Sequence, residues 1–187
     1  MSSDPYRTLT FELRKLSNAF PDAEQLPSLF DNLDRLDAQS AAIIAASAVE
    51  VMLRLAIQTS LTSLSTDEYS YLFLDGPFKE LGQKIHICYA LGIIGRETKR
   101  LLQVVQLVRN AFAHHWDKIE FDTDQINNAC IHLLEPTKAY QDYLPKDLDL
   151  TRAIDARSRY MATCMAIAVA IARWLRLSGE GGQASLP

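Results

Sequence analysis

The chain has 187 residues, 48% of them hydrophobic and 22% charged, enough to bury one core and short enough to suggest one domain. A formal net charge of −4 argues against a dedicated non-specific nucleic-acid surface, which needs a basic stripe, although a local basic patch is compatible with it. Cys88, Cys130 and Cys164 are odd in number, widely spaced and set in apolar stretches, so they read as buried thiols in a reducing compartment and not as a disulfide framework.

The first residues, MSSDPYRTLTFELRK, lack an apolar core and do not read as a signal peptide. Asp4-Pro5 has the form of a helix start, and that helix should run to about Phe20, where Pro21 ends it. Over 22–36, DAEQLPSLFDNLDRL predicts one or two short helical turns interrupted by Pro27. From Asp37 the stretch AQSAAIIAASAVEVMLRLAIQTSL is long, alanine-rich and apolar on nearly all sides, as befits the middle of a bundle. Thr62 to Tyr69 reads as a polar link, and LFLDGPF at 72–78 contains a Gly-Pro turn.

A helix over roughly 78–93 should end at Gly92 or Gly95. Another should start near Glu97, with Leu101, Val104, Val105, Val108 and Phe112 at helical spacing. KIEF at 118–121 alternates and suits a short extended piece; Asp122 with Gln125 resembles a capping box opening a helix to about Leu134. Pro136 and Pro145 bracket a looser segment before a last helix over about 149–177. Within it MATCMAIAVAIA, at 161–172, is closed by Arg173 and too short to span a bilayer. The expected architecture is an all-α bundle, one domain over 1–178 with a flexible tail at 179–187, in a cytoplasmic protein without a membrane partner.

His86-x-Cys88 and Cys130-x-His132 resemble metal-ligand pairs, but residues two apart on a helix face different ways and cannot grip one ion. No metal and no cofactor is expected. No G-x-S-x-G occurs, and no cysteine sits in an electropositive setting, so nothing supports covalent catalysis. Glu50 and Arg54 lie four apart in VEVMLRLAI and can form a local ion pair. Alternatively Glu50 is buried and takes a cation from another helix, for which Arg109 is the best candidate.

The helix carrying Arg109 ends in RNAFAHH. An arginine fork can hold a phosphate, and a histidine can move protons near neutral pH, so Arg109 and His114 suit metal-free cleavage of RNA through its 2′-hydroxyl. On one continuous helix, though, they lie about 140° apart at ~100° per residue, whereas Asn110 and His114 share a face. The pair converges only if the helix ends before His114 or a second subunit completes the site. The plainer reading has Arg109 paired with a buried glutamate, Asn110 satisfying backbone groups, and His114 and His115 favourably placed at a helix C-terminus.

Residues 75–122, DGPFKELGQKIHICYALGIIGRETKRLLQVVQLVRNAFAHHWDKIEFD, resemble the mannitol operon repressor (MltR) family in Gly76-Pro77, the helix closing in YALGII, the RN-x-F-A-H ending and the I-x-F segment. The resemblance extends upstream through SAVEVMLRLAI, including Glu50, and covers about two-thirds of the chain. It implies an all-helical fold and repression of a sugar-alcohol operon without a helix-turn-helix; because the chain is acidic and shows no basic recognition helix, such a regulator is expected to act through a protein partner and to self-associate. The Arg-x4-His pattern is also similar to the signature of the HEPN superfamily of helical domains, which includes metal-independent ribonucleases. That resemblance implies that Arg109 would hold the scissile phosphate, His114 would act as acid or base, Asn110 would be the adjacent polar position, and Glu50 would orient the arginine.

Overall fold

The structure, a computed structural model, describes residues 26–33, 35–61, 63–133 and 155–179. Among these residues every regular element is helical and none is a strand, so the chain is the all-α bundle its periodicity predicts. The helices are α1 (Leu26–Leu33), α2 (Ala38–Ser60), α3 (Thr66–Tyr69), α4 (Leu81–Ala90), α5 (Arg96–His114), α6 (Asp124–Ile131) and α7 (Ala156–Gly179). A π-helical turn at Ser70–Leu74 continues α3. The helix expected near 5–20, the segment between Pro136 and Pro145 and most of the tail lie outside the described residues.

The centre is α2 against α7, with α4 and α5 also packed on α2, and α1 and α6 on α7. Asp37 caps α2: its carboxylate accepts the Ser40 N–H at 2.9 Å, and that bond lowers its pKa. Alanines 38, 41, 42, 45, 46, 48 and 56 of α2 are buried, as are Ala166, Ala168, Ala170 and Ala172 of α7, so little side chain separates the two backbones. Leu53, Ile57 and Ile167 are fully buried, each worth about 1.5–3 kcal/mol of burial.

By length and composition α2 and α7 could each cross a membrane, and the helix around residues 161–172 is twice as long as its apolar run. More than half of each apolar window, 56% and 61%, is instead buried inside the bundle. Arg157 of α7 donates to the Leu33 and Leu36 carbonyls at 2.8 and 2.7 Å, tying α7 to the turn where α1 ends.

Five local expectations need correction. Pro27 does not interrupt a helix; it falls in the first turn of α1, where no intrahelical N–H is required. The polar link before Tyr69 contains α3, because Ser65 and Glu68 form a capping box: Glu68 N–H donates to Ser65 Oγ, and Ser65 N–H to Glu68 Oε2. The helix expected over 78–93 is the shorter α4, closed by Gly92 at φ 70°. There the Ile93 N–H reaches the Cys88 carbonyl and the Gly92 N–H that of Tyr89, a Schellman arrangement.

The KIEF stretch pairs with nothing extended, and α6 starts at Asp124 with Thr123, not Asp122, as N-cap. The Thr123 hydroxyl accepts from Glu120 N–H, not from the helix, so a turn forms in place of the capping box. Phe121 fixes that turn by inserting between Phe112 and Tyr160, at centroid distances of 4.8 and 5.6 Å. Ahead of α4, Gly76 is needed for space: a Cβ there would lie 1.9 Å from the Tyr71 carbonyl oxygen.

Candidate functional site

The end of α5 is anchored from behind. Val105, Val108 and Phe112 are buried, and Phe112, Phe121 and Tyr160 pack in series with their rings tilted 49° to one another. The Tyr160 hydroxyl lies 3.2 Å from the Ala42 carbonyl and 3.4 Å from that of Val105, so its one proton is shared between α2 and α5. Burial pushes its pKa well above the usual phenol range, with the Arg109 charge opposing the rise.

On this support α5 runs unbroken through His114, with His115 as its C-cap. Arg109 is half-buried and donates from Nη1 to Asn110 Oδ1 at 3.0 Å. Asn110 is half-buried and His114, one turn further on, is exposed on the same face. Because the helix does not end before His114, one protomer does not bring Arg109 and His114 together. The structure thus joins Arg109 with Asn110, and Asn110's face with His114.

The expected Glu50–Arg109 pair is not formed. The Glu50 carboxylate takes Lys84 Nζ of α4 at 2.7 Å, and Lys84, only 3% exposed, also donates to the Lys79 carbonyl. Glu50 therefore does not orient Arg109; its neighbour Asn110 does. The sequence carries a signal for this partner: Leu81, Lys84, Ile85 and Cys88 fall at i, i+3, i+4 and i+7, so Lys84 sits on the apolar stripe of α4 and must find an acid. Arg54 donates to the Tyr69 hydroxyl at 3.2 Å.

His115 is exposed, and its Nδ1, facing the Asp117 carbonyl at 3.0 Å, must carry the proton and donate. That leaves Trp116 fully exposed, while Leu107, two turns before His114 on the outer face, is 68% exposed. Sequence reasoning did not single out either residue, since an apolar residue's exposure depends on which face the tertiary packing covers.

The suggestive metal pairs are split by burial. Cys88 and Cys130 are interior, whereas His86 and His132 are at the surface. Among the described residues no group of three or more His, Cys, Asp or Glu is arranged to hold an ion. Burial pushes the Cys88 and Cys130 thiols up to about 12 and the Cys164 thiol higher still, the reverse of an activated nucleophile. Two clefts, of about 430 and 340 Å³, lie elsewhere: one near Asp122, Asn127 and Arg157, the other near Gln58 and Tyr69. No family model, no curated protein and no solved structure matches this chain.

Proposed function

We propose that this chain is a cytoplasmic transcriptional regulator of the mannitol-repressor type, self-associating and acting through a protein partner at the end of α5. The observation that carries the reading is the full exposure of Trp116 just beyond α5, on whose outer face Leu107 and His114 are also exposed, while Phe112 and Phe121 pack behind the helix end. A large aromatic that contributes nothing to its own core and sits on an ordered helix end is the kind of residue that anchors a protein interface. The acidic chain gives little support for reading base edges directly, so a protein partner in the transcription machinery fits better than operator DNA.

The test is a sugar-alcohol-operon reporter in cells expressing the chain. Repression that Trp116→Ala relieves at equal protein level supports the reading; a reporter indifferent to the chain, or purified chain that binds the operator by itself, overturns it.

A second reading, a HEPN-type metal-independent endoribonuclease, is favoured by one specific arrangement, Arg109 held by Asn110, which shares a face with exposed His114, although Glu50 is taken by Lys84 and does not orient the arginine. In that reading Arg109 binds phosphate, His114 exchanges the proton and a second subunit completes the convergence. RNA cleavage in EDTA, lost in a folded His114→Ala variant, supports it; no cleavage across a range of RNAs removes it.

A further inference from the structure

Two sides of α5 carry apolar residues at helical spacing, and only one of them faces the core. Besides the buried stripe, Val104, Leu107 and Ala111 recur at three- and four-residue spacing on a second side. Leu107 is 68% exposed, Val104 and Ala111 are half-buried, and fully exposed Trp116 follows just beyond the helix.

The two ends of this second stripe differ in charge. Before it stand Arg96, Lys99 and Arg100 against Glu97, which pairs with Arg100 at 2.6 Å. Beyond it come exposed Asp117 and the carbonyl end of α5, the negative pole of the helix, while Lys118 is taken by Glu120 at 2.8 Å. A second copy laid antiparallel, with a two-fold axis at Leu107, complements both the apolar centre and the two ends. Leu107 then meets Leu107 of the other copy, and Val104 comes opposite the turn holding the smaller Ala111. Trp116 and Asp117, past the helix end, reach the turn from Arg96 to Arg100, an indole face and a carboxylate against guanidinium groups. A parallel pairing instead sets Arg96 and Arg100 against their own copies, so the charges select the antiparallel, closed pair.

We infer that this outer side of α5 is the seam of a two-fold dimer of the chain, with Leu107 on the axis. The inference rests on the proposed self-association and gives it a place. The partner surface at the end of α5 is then built from two chains, Trp116 of one beside Arg96 of the other. Arg109 lies about 160° round the helix from Leu107 at ~100° per residue, so this seam does not draw it toward His114.

The test is sedimentation equilibrium of the intact chain, with circular dichroism as the folding control. Arg96→Glu/Arg100→Glu and Asp117→Lys should each weaken the dimer by about tenfold or more. A one-to-one mixture of these two variants should restore it, because the mixed pair has opposite charges at both ends. Leu107→Glu should give monomers. The native thiols are buried, so under a mild oxidant Leu107→Cys should form a disulfide between copies, whereas Ile44→Cys, on the open side of α2, should not. All the substituted side chains are exposed, so folding should be unchanged; if a charge variant fails to fold, the two cysteine variants decide.

A chain that stays monomeric overturns the seam, as does a mixture that restores nothing, or a cross-link through Ile44→Cys in place of Leu107→Cys. A restored mixed dimer with an operon reporter that Trp116→Ala does not relieve upholds the seam and removes the repressor reading. A monomeric chain whose repression Trp116→Ala relieves does the reverse.

Discussion

The helices α2 and α5 are both long and both packed on the core, yet they divide the molecule's work between them. In α2 the buried residues, from Ala38 to Ile57, occupy about half of the helix circumference at ~100° per residue, where α4, α5 and α7 pack, and the rest, with Ile44, Glu50 and Arg54, is only partly covered. In α5 the buried residues Leu101, Leu102, Val105, Val108 and Phe112 follow a helical stripe, and the opposite side stays open to solvent. Where an apolar side chain is surrounded, its substitution reads out as stability. Where polar and aromatic groups face water from a rigid helix, substitution reads out as function.

Substitutions that probe this contrast range from large to small. Leu53→Ala in α2, fully buried, should destabilise by about 2–5 kcal/mol by leaving a cavity, measured by denaturant unfolding; a loss under 1 kcal/mol would break the picture of a tightly packed inner side of α2. Glu50→Ala leaves the Lys84 ammonium buried with only a backbone acceptor. Because the Glu50 side chain is itself 23% exposed, the expected cost is about 2–4 kcal/mol, toward the lower side of that for a fully buried pair. Glu50→Leu with Lys84→Met should recover most of it. An unchanged melting curve for Glu50→Ala would mean that Lys84 finds another partner.

Tyr160→Phe removes one shared proton from between the Ala42 and Val105 carbonyls and should cost about 0.5–1.5 kcal/mol. The thiols add a pH dependence. Cys88 and Cys130 titrate near 12 in the fold against an ordinary value of 9.0, so above that value the unfolded chain loses protons that the folded chain keeps. Their contribution to stability is therefore fully present below about pH 9 and is lost as pH rises toward 12. At pH 8 the three thiols should resist a disulfide reagent until the chain unfolds, and rapid labelling of the native protein would contradict their burial. Smallest of all, His114→Ala should move stability by less than about 0.5 kcal/mol, since the ring is exposed.

The fold was legible where the local signal and the tertiary outcome agree. An all-apolar helix after Asp37 and a striped helix ending in RNAFAHH are each dictated by periodicity, and both occur. The start of α6 was not legible, because the anchor that sets it, Phe121 between Phe112 and Tyr160, joins residues far apart in sequence. The ion pair was half legible. Glu50 did need a partner from another helix, but pairing it with Arg109 passed over Lys84, whose position on the apolar stripe of α4 marks it as buried. Trp116 could not be singled out, because hydrophobicity alone gives no reason for an exposed indole.

The most direct test of this division is operon repression and melting temperature measured together for two substitutions on the same helix, Trp116→Ala just beyond its end and Val105→Ala on its buried side. The account predicts that Trp116→Ala abolishes repression with its melting temperature unchanged, whereas Val105→Ala lowers the melting temperature and leaves repression intact wherever the protein is folded. Undiminished repression by Trp116→Ala would contradict it and remove the end of α5 as the working surface.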